Sequence, residues 1–180
     1  MRIPINVQRI IQETEQKNVN LPYEVLTAFS RRTGDAIFSI RGNEAKVSIP
    51  RAEVIRLAKR FRKERNVVTH NHVGEFLSLS PEDAALAFEL RCAQFRGTDR
   101  NRRVYIMDLP DIITSSDVDK SRRLADRFSN EVDRLDLSKP VKSLSESPVL
   151  PVLERMRKAF EKKFPGLKFR EESLDRVIQL

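Results

Sequence analysis

Between Pro50 and Phe95 the chain runs through an amphipathic helix, a short β-rich segment and a second helix with little between them, and few architectures accommodate that order. "PRAEVIRLAKRFRKER" carries Pro50 where a first turn accepts it, and Val54, Ile55, Leu57, Ala58 and Phe61 form one apolar face. "NVVTHNH" is rich in strand-forming residues. "SPEDAALAFELRCAQF" opens on a helix-start signature, with Ser80 as N-cap, Pro81 at the first helical position and Asp83 reaching back, and is expected to stop near Gly97. A strand flanked by helices that must each bury one face calls for an α/β fold.

The flanking sequence extends this pattern. Val7 to about Ser30 reads as helical in two weak stripes, Ile10 and Ile11, then Tyr23, Val25, Leu26 and Phe29, divided by "NVNLP" and ended by Thr33-Gly34. "DAIFSI" and "AKVSI" read as two strands of a hairpin turning at Gly42-Asn43, and "RRVYIMDL" as a later strand ended by Pro110. Beyond Ile112 the character changes. A helix carries Leu124, Phe128, Val132 and Leu135 on one side, "DLSKPVKSLSESP" is linker-like, and a last helix places Leu153, Met156 and Phe160 in a stripe before Pro165-Gly166. The expected organisation is an N-terminal helical segment over 1–20, a core over 21–112, and a helical C-terminal extension over 113–180 with its linker near 136–150.

In 180 residues, 39% hydrophobic and 33% charged, there is material for one core and a good deal of solvated surface. The net charge of +8 favours acidic partners, and Arg51, Arg56, Lys59, Arg60, Arg62, Lys63 and Arg65, extended by Arg100, Arg102 and Arg103, offer a face for weak nucleic-acid binding. Few aromatic residues accompany them, so a base-stacking platform is not indicated. The single cysteine, Cys92, forms no internal disulfide and reads as a small buried thiol. No apolar run has the length of a signal peptide or a membrane span, so a cytoplasmic protein without membrane attachment is expected.

The chemistry concentrates in "NVVTHNHVGEFLSLSPEDAAL". Alternate residues of a strand share a face, so His70 and His72 project together while Asn71 points away. Zinc takes neutral imidazoles and a carboxylate and leaves a fourth position for water, which it makes acidic enough to attack near neutral pH. Asp83 is the candidate third ligand. Ser80 and Asp83 also suffice as helix caps, so capping and metal binding both stand at this point. HNH nucleases draw their residues from a dispersed ββα motif, and the tripeptide here does not match it.

The joint spacing, His-x-His, seven residues, then Ser-x-x-Asp between a strand and a helix, resembles the JAMM motif of JAB/MPN zinc metallopeptidases, and "THNH" is similar to their RadC-like and phage-associated bacterial branches. The resemblance implies a cytidine-deaminase-like core, a mixed β-sheet flanked by helices, over about residues 20–110. It implies zinc held by His70, His72 and Asp83, with Ser80 stabilising the oxyanion and a glutamate on an earlier strand acting as general base. The reaction implied is hydrolysis of a peptide or isopeptide bond, in a protein, peptide or ubiquitin-like substrate. Two positions depart from the pattern. Val73 stands where a proline usually follows the second histidine, and Asp35 stands where the strand reading puts the glutamate, one methylene short; Glu44 and Glu24 become candidates only if that register is shifted. The rival expectation is a catalytically weak or inactive domain of the same fold that binds nucleic acid or protein through its basic surface.

Overall fold

A computed structural model of the chain describes residues 3–44, 46–73, 78–136 and 146–175. In chain order the elements are α1 (Ile5–Asn18), β1 (Val25–Phe29), β2 (Ala36–Arg41), α2 (Arg51–Phe61), β3 (Val67–Asn71), α3 (Pro81–Leu90), β4 (Gln94–Thr98), β5 (Arg103–Asp108), α4 (Ser115–Asp133), α5 (Leu150–Lys163) and β6 (Lys168–Ser173). The strands form one mixed sheet in the order β2-β1-β3-β4-β5-β6. Among the described residues only the β3–β4 pair is parallel, and α3 makes its crossover. The α/β expectation therefore holds, with five helices around a six-stranded sheet among the described residues.

Alternation along the central strands divides two layers. Leu26 and Ala28 of β1, Val68 of β3, Phe95 of β4 and Tyr105 and Met107 of β5 face the larger core, where α2, α3, α4 and α5 pack Leu57, Phe61, Phe88, Phe128, Met156 and Phe160 against them. Phe160 is fully buried, so Phe160→Ala would cost about 3–5 kcal/mol. Phe29 and Val67 face the other way and meet Val7 and Ile11 of α1. Beside α1 the same face of β4, β5 and β6 carries Gln94, Arg96, Asp108, Arg170 and Glu172 and lines an open cleft of about 950 Å³.

Four local expectations are corrected. The second half of the expected Val7–Ser30 helix is strand β1, because Leu26 to Phe29 are buried on both faces, and such a continuous apolar run does not betray its period. The turn at Gly42 exists, since a Cβ there would run into the Lys46 carbonyl, but Lys46 to Pro50 form no returning strand; β2 pairs with β1 instead. Helix α3 ends at Leu90, where Arg91 takes a left-handed φ of 55°, and Gln94–Thr98 is β4 rather than helix. The C-terminal region is not wholly helical: β6 joins the sheet against β5, and α4 and α5 contribute to the same core. The linker expected near 136–150 falls largely on residues 137–145, outside the described residues. Among the described residues no helix is long and apolar enough to cross a membrane.

Candidate metal centre

His70 stands in β3, and the His72 N–H continues the ladder by donating to the Thr98 carbonyl at 2.7 Å. Their side chains share the face of Val68, as alternation requires, while Asn71 turns to the other face and ties down β1, accepting from Val25 N–H at 2.7 Å and donating to the Tyr23 carbonyl at 3.0 Å. The two imidazoles meet edge to face with centroids 4.4 Å apart. Helix α3 begins in front of them. Ser80 is its N-cap, and a complete capping box joins Ser80 Oγ to Asp83 N–H at 3.1 Å and Ser80 N–H to Asp83 Oδ2 at 2.9 Å. The cap fixes the first turn so that Asp83, three residues on, faces the histidines.

Each of His70, His72 and Asp83 offers a ligand atom within 4.8 Å of the others. His70 Nε2 lies 3.3 Å from Asp83 Oδ1, and His72 Nε2 lies 3.8 Å from Asp83 Oδ2. Charge-assisted N–H···O bonds are shorter, about 2.7–2.9 Å, whereas two ligands on one tetrahedral zinc stand roughly 3.3 Å apart. His70 Nδ1 is 3.0 Å from the Arg96 carbonyl, which can only accept, so Nδ1 carries the proton and Nε2 is left with its lone pair. Among the described residues nothing is hydrogen-bonded to buried His70 Nε2. Gly97 of β4 borders the group, and a Cβ there would sit 3.1 Å from His72 Nε2 and 3.3 Å from His70 Cε1. The donor set, its spacing, its tautomer and this cleared space fit a zinc-sized cation.

The electrostatics couple the three groups, and a bound cation would have to displace the proton that Asp83 favours on His70. Burial pushes the His70 imidazole down, but the Asp83 carboxylate, with Glu24 and the Arg96 carbonyl, outweighs it and raises the pKa above the ordinary value. Burial pushes Asp83 up, and the two histidines with the Ser80 N–H overcome it, holding the carboxyl well below the usual carboxylate range. The acid is thus ionised as a ligand must be.

A further carboxylate stands beside this group, one that the sequence reading named only as an alternative to Asp35 under a shifted register. Glu24 immediately precedes β1, and the β1–β3 register, Leu26 opposite His70, carried two residues on sets Glu24 opposite His72. Its side chain is 6% exposed; Oε2 accepts from Val47 N–H at 2.8 Å and Oε1 stands 3.5 Å from His72 Nδ1. Asp35 lies elsewhere. It is exposed, accepts from Thr33 Oγ1 at 2.7 Å, and precedes Ala36, which pairs with Phe29 and so with Val67, three residues or about 10 Å along β3 from His70. Glu44 is exposed in the turn after Gly42. The available signal was the strand character of "EVLTAF", which makes Glu24 the acidic residue at the start of the first strand.

The basic residues do not form one face. Arg51 pairs with Glu89 at 2.7 Å, Arg56 with Glu53 at 2.7 Å, Arg102 with Asp175 at 2.7 Å and Arg103 with buried Asp99 at 2.8 Å. Arg65 donates to the Cys92 carbonyl at 2.7 Å. Lys59, Arg60, Arg62 and Lys63 remain outside ion pairs among the described residues. Arg62 and Lys63 precede the start of β3 while Arg100 follows the end of β4, so they stand at opposite ends of the sheet.

No protein-family model, curated protein or solved structure matches the chain.

Proposed function

We propose that this protein is a zinc-dependent hydrolase of the JAB/MPN type that cleaves a peptide or isopeptide bond. The observation that carries the reading is the convergence of His70, His72 and Asp83 within 4.8 Å. The motif resemblance adds the substrate class, a protein or peptide, with ubiquitin-like conjugates as a candidate.

His70 and His72 would hold the ion through imidazole nitrogens and Asp83 through a carboxylate oxygen. Bound zinc would supply Lewis acidity, lowering the pKa of water and polarising the scissile carbonyl. Glu24 is the general base in this reading: one oxygen is anchored by Val47 N–H and the other is turned to the histidines, so it can take a proton from the attacking water and pass it to the leaving amine. Ser80 serves twice. Capping uses an oxygen lone pair, which leaves the hydroxyl hydrogen to donate to the developing oxyanion. Asp35, exposed and bonded to Thr33, has no part in the chemistry.

Elemental analysis of protein purified without added metal should find one zinc per chain, lost in His70→Ala and His72→Ala. Glu24→Gln should keep the zinc and lower single-turnover cleavage of a peptide-linked substrate by about 10²–10⁴-fold, while Asp35→Asn cleaves like the parent. A parent without zinc overturns the metal reading. Cleavage that survives Glu24→Gln removes Glu24 as base.

A further inference from the structure

The sheet has a second polar cluster directly behind His70, on the face that α1 covers. Val7, Ile11 and Glu15 are the buried positions of α1, and the last is a carboxylate 1% exposed where an apolar residue would complete the stripe. Glu15 Oε1 accepts from Arg96 Nε at 2.6 Å and from Thr69 Oγ1 at 2.8 Å, and Oε2 accepts from Arg96 Nη2 at 2.9 Å. Thr69 and Arg96 are register partners on β3 and β4, and the next pair along is His70 with Gly97, facing the metal group. One carboxylate from α1 therefore ties the two parallel strands together one residue before His70. Arg96 is held at a third point, where Nη1 donates to Gln94 Oε1 at 3.0 Å.

Stability does not call for this arrangement. A buried ion pair is often no better than apolar residues of similar size at both positions, because desolvation offsets the attraction, and apolar side chains at 15 and 96 would continue the contact of Val7 and Ile11. What the carboxylate adds is direction. Its forked contact fixes the Arg96 side chain and with it the peptide whose carbonyl accepts from His70 Nδ1 at 3.0 Å. Its contact with Thr69 fixes the residue to which His70 is peptide-bonded.

We propose that Glu15 is a positioning residue for His70: by clamping Thr69 and Arg96 from behind the sheet, it keeps the Arg96 carbonyl on His70 Nδ1 and aims Nε2 at the metal position. This rests on the metal reading above for its purpose, and its geometry can be measured without metal. Outer partners that orient a ligating histidine contribute about 10–100-fold to metal affinity, and the clamp acts on such a partner from one step further out.

The test uses the full chain in two states. In metal-free protein, at a pH that leaves both imidazoles neutral, nitrogen NMR of the histidine rings reports the tautomer, with His70 assigned by its loss in His70→Gln. The parent should show the Nδ1–H form alone. Glu15→Gln, which keeps size and loses charge, should show a mixture of tautomers, and chelator competition should give a zinc affinity lower by on the order of tenfold. If Glu15→Gln does not fold, Thr69→Val and Arg96→Lys each remove one limb of the clamp and should shift the same two readouts. Arg9→Gln, which breaks the exposed Glu13 pair on the same helix, should leave both unchanged. Parent tautomer and parent zinc affinity in folded Glu15→Gln, or in both limb variants, overturn the proposal. A parent that binds no zinc overturns the metal reading instead, and the metal-free tautomers still decide the clamp.

Discussion

An alanine at position 97 would set a methyl carbon 2.8 Å from Leu79 Cδ2, 3.1 Å from His72 Nε2 and 3.3 Å from His70 Cε1. Ordinary van der Waals contact begins near 3.4 Å, so the His72 nitrogen must retreat by about 0.3 Å, and fully buried Leu79 by about 0.6 Å. Overpacking of a closed core costs about 1–3 kcal/mol. Metal sites tolerate ligand displacements of about 0.2 Å, so a 0.3 Å retreat lies just outside that range and should weaken zinc binding on the order of tenfold, about 1.4 kcal/mol. Chelator competition reads the second quantity and thermal unfolding of metal-free protein the first. Gly166→Ala is the control: its φ of 88° strains an alanine, but the added Cβ meets nothing closer than Pro110 Cα at 3.9 Å. It should lose about 1 kcal/mol of stability and keep its zinc affinity. Parent affinity in Gly97→Ala would refute the reasoning, because the methyl group would then not be crowding a ligand atom.

Three other outcomes follow from the geometry. Ser80→Ala should lose about 0.5–2 kcal/mol of stability and about a hundredfold in turnover, while Ser80→Asp, which caps but cannot donate, should keep the stability and lose the turnover; parent kcat in zinc-loaded Ser80→Asp would leave Ser80 a cap alone. Burial pushes the Cys92 thiol up to about 12 despite Arg65 nearby, so iodoacetamide at pH 8 should label the native chain at least about a hundredfold more slowly than the chain in denaturant, and comparable rates would show the thiol to be accessible. If Lys59, Arg60, Arg62 and Lys63 contact phosphates, binding of duplex or single strands should weaken steeply with salt, and glutamine at Arg60, Arg62 and Lys63 should flatten the slope; no binding at low salt removes that function.

The segment from Pro50 to Leu90 was legible because its signals are local: the apolar face of α2, the alternation of β3, and the Ser80-Pro81-Asp83 cap all act within a few residues. The same locality revealed His70, His72, Ser80 and Asp83. Glu24 was obscured by a packing effect. Residues Leu26 to Phe29 are buried on both faces of a central strand, so their pattern lacks alternation and the helix reading drew the base toward Asp35. Strand β4 hid in the same way, since Cys92 to Phe95 prolong an apolar helix and only the left-handed turn at Arg91 ends it. Glu15 gave no signal at all. A carboxylate on an N-terminal helix reads as solvated, and its partners Thr69 and Arg96 are distant in sequence.

Some contacts of helix α1 reach to the far end of its own chain. Gln12 Nε2 donates to the Leu174 carbonyl at 2.8 Å across a separation of 162 residues, and Gln16 Nε2 does so at 3.3 Å across 158. Arg96, the partner of Glu15, is 81 residues away. At a synthesis rate of about 5–20 residues per second, the helix leaves the ribosome on the order of ten to thirty seconds before the strand end that holds it. During that interval Val7 and Ile11 wait first for Phe29 and Val67, and Glu15 stays hydrated until Arg96 has emerged. The nascent chain thus presents an amphipathic helix to whatever binds such surfaces, and the polar side of that helix is secured only when Leu174, just past the last strand, has reached it.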